Sequence, residues 1–442
     1  MKDTDLKRNR FALQASKYLF ARLIDKQRSK SEDDWVCTSS RFERWDPGER
    51  HDTMNLVILS PIEVYPPTTG ARQRMLSISR HVAERGNQVT VFSPAKLSIR
   101  GSKPTVLLDE PNLTIFSTTL WSPIVLKRML RADLVQFEYP YLLPFMLLLR
   151  ILGKPFILDE HGVEYVFVRE LKAMHLDRTL ESNSIGFILA RTPGLLWIVL
   201  CIDKIAARIA PLIFVCSKTD AMQLSRLYGL APRRVVVVPN CVEDALPEAI
   251  IAHHFEHPTV LFLGSFNHPP NVHAASLLIN EIMPRVRRVV GEVLLVMVGR
   301  NPPGALASEK SEFVNFTGEV KDPRPFVMGA DVTVAPVFFG SGTRVKLVEY
   351  MMLAKAIVST SKGAEGLDIV DQIHFLEADT IEAFSDAVIE LLIHKDRAAL
   401  LGKRAREVAR KRYSWSEQIN NILGAYATVI GDKEGMRNED SS

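Results

Sequence analysis

Between Asp331 and Leu367 the chain places glycines, a base and an acid in an order that suits a phosphate-bearing ligand. Gly340, Ser341 and Gly342 interrupt an apolar, β-branched run that starts at Val332. Val345, Val348 and Met352 then recur at helical spacing, and a second apolar run follows at 356–359. The order is strand, glycine loop, helix, strand. A glycine loop opening into a helix presents unpaired backbone N–H groups and the positive end of the helix dipole, both of which favour phosphate. Lys346 and Glu349, three apart, share one helical face. The lysine can meet a diphosphate and the carboxylate can accept hydrogen bonds from sugar hydroxyls, so a nucleotide-linked sugar supplies both partners. An ordinary crossover with turn glycines and a solvated Lys/Glu pair carries the same local pattern, and the rest of the chain has to decide.

The elements that must position these residues are strands alternating with helices. Residues 55–60 predict a buried strand, 66–70 a loop, and Met75, Ile78 and Val82 mark the core side of a helix that Gly86 stops. Further strands are expected at 88–92, 133–137, 155–158, 212–216 and 235–238, and Ser217 to Asp220 has the spacing of a helix cap. The rhythm lapses over 239–257 and restarts with a strand at 259–263, a helix through 272–289 and a strand at 293–298. Alternation of this kind implies parallel sheets covered by helices on both faces, in two Rossmann-like halves, with ligands at the carboxyl ends of strands in the cleft between them. Four loops should converge there: 66–70, 160–162, 264–271 and 339–343.

At 442 residues the chain exceeds one usual core, which fits two domains. With 47% hydrophobic and 24% charged residues it is neither disordered nor low in complexity. Four cysteines without metal or disulfide spacing, and no secretory signal, indicate a cytoplasmic compartment. The sequons at Asn112 and Asn315 are then chance matches. The net charge of +4 is uneven, because residues 1–30 hold nine Lys/Arg against three Asp. Leu6, Leu13, Phe20, Leu23 and Ile24 fall on one side of a helix there and most basic residues on the other, so residues 6–28 could lie on an anionic membrane surface or pack on the protein with a solvated basic face. No apolar stretch reaches the roughly 18–20 residues of a spanning helix. The candidates, 141–152 and 186–202, fit buried helices or a membrane-contacting face, and localisation is expected to be cytoplasmic, peripheral on the inner face of the membrane. A nucleic-acid partner is not expected, since the body of the chain is not basic. His253, His254 and His257 cluster without the spacing of a zinc site.

Val238-Pro239-Asn240, Gly264-Ser265-Phe266 with Pro270-Asn271, Phe316-Thr317-Gly318-Glu319-Val320 and the segment from Gly340 to Glu349 occur in that order. Together they resemble the group 1 (glycogen-synthase-like) glycosyltransferases, over roughly residues 54–430. The resemblance implies a GT-B fold with C-terminal helices returning to the N-terminal domain. Its expected organisation is a basic extension at 1–50, an acceptor-binding domain at 51–240, a linker at 241–257, a nucleotide-sugar-binding domain at 258–412, a returning helix at 413–430 and a flexible tail at 431–442. It implies retaining transfer of a sugar from a nucleotide diphosphate to a cell-surface glycan, lipid-linked or similar acceptor, with no cofactor and no metal. A non-catalytic GT-B scaffold and a nucleotide-sugar epimerase are the alternatives.

By position, the resemblance places His161 and Glu349 in catalytic roles, His161 by the transferred sugar and Glu349 on the donor ribose as the second glutamate of an E-x7-E signature. The donor site it implies comprises Gly70, Gly264, Gly318, Val320, Gly340, Ser341, Gly342, Thr343, Arg344, Lys346 and Glu349. Arg344 and Lys346 would face the diphosphate and residues 318–321 would border the nucleobase. Three departures stand out. Ser341 occupies the place of the first signature glutamate, residues 265–268 lack an Arg/Lys pair common after the first donor-domain strand, and Cys241 replaces a common glycine.

Overall fold

A computed structural model describes residues 53–94, 104–173, 195–243, 251–302, 304 and 312–439. The basic extension at 1–50 and the middle of the expected linker lie outside the described residues. The first half is an eight-stranded sheet made of β1 (Asn55–Leu59), β2 (Gln88–Ser93), β3 (Thr105–Glu110), β4 (Leu113–Ser117), β5 (Leu134–Glu138), β6 (Phe156–Glu160), β7 (Leu212–Val215) and β8 (Val235–Val237). Its order is β3-β4-β2-β1-β5-β6-β7-β8. The second half has six strands, β9 (Thr259–Leu263), β10 (Leu294–Val298), β11 (Val314–Gly318), β12 (Val332–Ala335), β13 (Ala356–Ser359) and β14 (Leu376–Glu377), ordered β11-β10-β9-β12-β13-β14. The strand order reverses around β1 and around β9, so each half has a crevice at the carboxyl end of its first strand.

The central strands are continuous apolar runs because helices cover both faces. Leu56 and Ile58 face one layer with the helix Gly70–Glu84, while Val57 and Leu59 face the other with Phe145, Met146 and Leu149. Ser217 caps the helix Lys218–Tyr228 through the N–H of Asp220, as its spacing predicts. Three details differ from the sequence reading. The first sheet is mixed, since β3 runs antiparallel to β4 across a turn at Asn112 with φ +61°. The helix expected at 272–289 is interrupted by a π turn at Leu278–Ile282, next to Pro284, which has no N–H to continue the regular ladder. The tail expected from 431 is helical as far as Glu439, in a stretch without proline.

That last helix, Trp415–Glu439, returns to the first half. Trp415, Ile419, Ile422, Leu423 and Tyr426 join its core, and Asn420 accepts a 2.7 Å hydrogen bond from Arg85. It enters beside the outgoing crossover, where Val242 N–H donates to the Tyr413 carbonyl. Arg74 anchors the start of that crossover. Its guanidinium is bidentate to Asp159 at 3.0 and 2.9 Å and donates to the carbonyls of Val238 and Pro239, with both charged side chains essentially inaccessible.

The halves meet through glycines. A methyl group at Gly342, where φ is +74°, would overlap the carbonyl oxygen of His161, and one at Gly162 would sit 2.7 Å from Ser341 Oγ and 2.8 Å from Gly342 N. Thr343 is tied to the crossover by a 2.8 Å bond from Asn240 Nδ2.

Two outcomes follow from these contacts. Arg74→Met leaves Asp159 buried without its partner and should lower the unfolding free energy by about 3–5 kcal/mol, measured by urea titration. A loss under about 1 kcal/mol would show that the ion pair is dispensable. Gly342→Ala should separate the two halves and raise the radius of gyration measured by small-angle scattering, and an unchanged radius would mean that the loops tolerate a side chain.

Candidate functional site

His161 follows β6 and is nearly buried. Its Nε2 lies 2.6 Å from Glu138 Oε2 at the end of the neighbouring strand, and the Tyr139 ring stacks on the imidazole at 4.5 Å. The other Glu138 oxygen accepts from Gln136 Nε2 at 2.6 Å, and Gln136 Oε1 accepts from the Tyr426 hydroxyl on the returning helix. Burial, reinforced by the charge of Asp159, raises the Glu138 pKa, while the bonds from His161 and Gln136 oppose that rise. An ionised Glu138 fixes the imidazole with its proton on Nε2 and presents Nδ1 as the remaining ring nitrogen.

Glu138, Asp159 and His161 bring three possible metal-ligating atoms within 4.8 Å of one another. The set is already partnered internally, because Arg74 holds both Asp159 oxygens and Glu138 is shared between Gln136 and His161. The linker histidines do not assemble into such a cluster. His253 stacks on Phe326 and meets the edge of Phe255, and its backbone N–H donates to the Pro325 carbonyl, while His253 and His254 stay exposed, as a solvated loop requires.

Across the cleft, Phe339 to Thr343 form a loop that leads into the helix Val345–Met352. Arg344, expected to face the diphosphate, is turned onto its own loop. Its guanidinium donates to the carbonyls of Phe339, Gly340, Ser341 and Gly342. In a trans peptide C=O and N–H point oppositely, so carbonyls gathered on Arg344 turn the loop's N–H groups the other way.

Lys346 is the loop's available cation. Its ammonium donates to Asn271 Oδ1 at 2.8 Å, lies 3.9 Å from the Phe262 ring centroid and sits beside Gly264, where a Cβ would come within 2.9 Å of Nζ. It therefore occupies the loop after β9 that lacks its own Arg/Lys pair, and Arg300 joins it there through Ser265 at 3.4 Å. Burial, and then the charge of Arg344, push the Lys346 pKa well below its usual range. No carboxylate among the described residues lies within ion-pair distance of it. Glu349, one turn on, is pushed up to about 7 by burial, against the opposing influence of Lys346, a hydrogen bond from Gln73 and the charge of Arg324.

The remaining candidates surround these two. Gly70 opens the helix Gly70–Glu84 beside Val345, where a Cβ would lie 2.8 Å from Cγ2. Gly318 ends β11 with φ +69°, and Val320 packs in the layer under the Val345–Met352 helix, leading to Asp322 and Arg324 near Glu349. Sequence reasoning assigned no role to Glu138, Gln136, Gln73, Arg324 or Tyr426. Each gains its role from a residue of another element: Glu138 from His161, Gln136 and Tyr426 from one another, and Gln73 and Arg324 from Glu349.

Known families match the two halves in turn. Residues 257–394 match the family model described as "Glycosyl transferases group 1", and residues 68–246 match "Glycosyltransferase Family 4". No curated protein matches the chain by sequence. Among solved structures, sucrose-phosphate synthase from Thermosynechococcus elongatus is similar at 14% identity and a TM-score of 0.67, over 86% of this chain and 100% of that one. Anabaena HepE in complex with UDP is similar at 15% identity and 0.59, over 85% and 100%. The catalytic domain of starch synthase IV from Arabidopsis thaliana, bound to ADP and acarbose, is similar at 12% identity and 0.58, over 86% and 100%. With two facing Rossmann-like halves, the chain carries a family 4 glycosyltransferase domain followed by a group 1 glycosyltransferase domain, on a GT-B fold.

Proposed function

We propose that this protein transfers a sugar from a nucleotide diphosphate donor, held by the second half, to a cell-surface glycan or lipid-linked acceptor held by the first, with retention of anomeric configuration. The observation that carries the reading is Lys346. A sheltered ammonium with no carboxylate in contact is costly unless an anion arrives, and a loop of N–H groups at a helix start adjoins it. The leaving nucleotide gains negative charge as the glycosidic bond breaks, and Lys346 with the loop N–H groups would stabilise it without a metal or cofactor. Glu349 would accept the ribose hydroxyls, residues 318–321 would border the base, and His161, oriented by Glu138, would lie at the sugar. The similar structures holding UDP or ADP support a nucleotide donor.

Calorimetric titration with UDP, GDP and ADP tests this. Lys346→Ala should weaken the favoured diphosphate about 10- to 100-fold, as expected for a charge-assisted contact. Glu349 must be ionised to accept two hydroxyls, so affinity should rise as pH increases through about 7, with proton release on binding below that pH, and Glu349→Gln should flatten this dependence. Absence of nucleotide binding would sink the reading, and binding without transfer to any acceptor would leave a nucleotide-binding scaffold.

We further infer peripheral contact with an anionic membrane. No helix among the described residues is long and apolar enough to cross one. The helices Leu143–Ile151 and Leu195–Ile209 pack together on the first half and expose Ile151 at 81% and Trp197 at 70%, and Trp121, from the loop before the helix Pro123–Arg131, packs on Phe145 and is 69% exposed. Arg150, Arg233 and Arg234 gather at one end of this surface, near enough that their charges, after burial, lower the Arg234 pKa. Exposed tryptophans on a surface that carries arginines at one end suit an interface of apolar chains and anionic headgroups. The full chain should float with vesicles containing phosphatidylglycerol, and Trp121→Ser with Trp197→Ser should reduce flotation several-fold. Equal flotation of both proteins would remove this surface from the account.

A further inference from the structure

The donor loop has no carboxylate at position 341, yet the fold delivers one beside it from the opposite half. Glu170 projects from the helix Glu164–Ala173, and its Oε2 accepts the Gly340 N–H at 2.9 Å while Oε1 lies 3.0 Å from Lys362 Nζ. The helix is seated on the loop by apolar packing, since Phe167, Val168 and Leu171 bury Phe339 among them. The Phe167 ring also lies 5.7 Å from that of His268, so the helix spans both donor loops. Glu170 keeps 22% of its side chain exposed, at the edge of the closed cleft rather than sealed within it.

We propose that Glu170 accepts hydroxyl hydrogen bonds from the transferred sugar, in place of the carboxylate that Ser341 cannot supply. This rests on the nucleotide-sugar reading above. An ionised carboxylate has about four acceptor positions, so Gly340 and Lys362 leave it capacity for two hydroxyl donors. Neutralising Lys362 does not require Glu170, because Glu365 already pairs with that lysine at 2.7 Å. Two carboxylates converge on one ammonium, and the one bonded to the loop's backbone is the one placed for a ligand there. Glu170 belongs to the first half, so the sugar subsite is complete only when the halves are closed. Sugar binding thereby favours the closed, water-excluding form, whereas a free nucleotide does not draw on Glu170.

The experiment compares wild type, Glu170→Gln and Lys362→Met by calorimetric titration with UDP, GDP and ADP and with their glucose and mannose conjugates, each variant's Tm being checked first. For the favoured base, Glu170→Gln should bind free diphosphate within about threefold of wild type and the sugar conjugate at least about tenfold more weakly. Lys362→Met, which keeps the carboxylate, should hold both affinities within about threefold. If Glu170→Gln weakens diphosphate and conjugate equally, or Lys362→Met reproduces its effect, Glu170 is an interdomain latch and the proposal fails. It also fails if Glu170→Gln changes neither affinity. Should Glu170→Gln not fold, Glu170→Asp, which withdraws the carboxylate by one methylene, faces the same criteria. Wild type that binds no nucleotide overturns the underlying reading, an outcome distinct from any of these.

Discussion

The cleft depends on two stretches of backbone meeting where neither carries a side chain. Gly162 and Gly342 face one another so closely that a methyl group on either would strike the opposite loop, and Gly342 sits at a positive φ that other residues adopt only at a cost. The consequence is a site assembled from strand ends of two sheets, with His161 and Ser341 within a loop's width of each other. Asn240 and Thr343 tie the same loop to the crossover, and Arg74 ties the crossover to Asp159 at the end of β6. The donor loop, the crossover and the histidine loop thus share one network of short contacts.

Electrostatics within that frame is uneven, and the unevenness is informative. Arg74 is buried with its counter-ion and its other donors satisfied, which is how a fully buried charge is retained for structure. Arg344 is satisfied by four backbone carbonyls and serves to shape its loop. Lys346 and Glu349 are the exceptions. Burial drives both toward their neutral forms, and Gln73 and Asn271 are neutral partners that a ligand could replace without stranding a charge. Of the cations at the donor loop, Lys346 is the one left suited to chemistry.

Much of the fold was legible because burial on both faces leaves unbroken apolar runs. Residues 55–59, 259–263 and 356–359 read as strands for that reason, and the glycines at 340 and 342 marked the loop. The β3–β4 hairpin was not legible, since Thr105–Glu110 is a partly exposed edge strand whose residues carry little hydrophobic pattern. The π turn depends on a register slip that no periodicity shows. At the site, glycines and charges signalled their presence but not their partners. Arg344 and Lys346 sit two apart with similar charge, and only the three-dimensional course of the loop sends one to carbonyls and the other to Asn271 and Phe262.

The returning helix shows why such partners escape a linear reading. Tyr426 lies 290 residues from Gln136, yet its hydroxyl engages the amide that steadies Glu138, and Glu138 in turn orients His161. A tyrosine in an amphipathic helix looks like core, and here it is core as well, stacked at 5.7 Å on Phe214. Its ring fills the layer under the sheet while its oxygen ends a chain of hydrogen bonds leading to the cleft. Docking of the last helix is therefore more than closure of a hydrophobic layer. It also fixes the histidine side of the cleft from behind, and the segment that leads into it runs alongside the crossover that carries the second half.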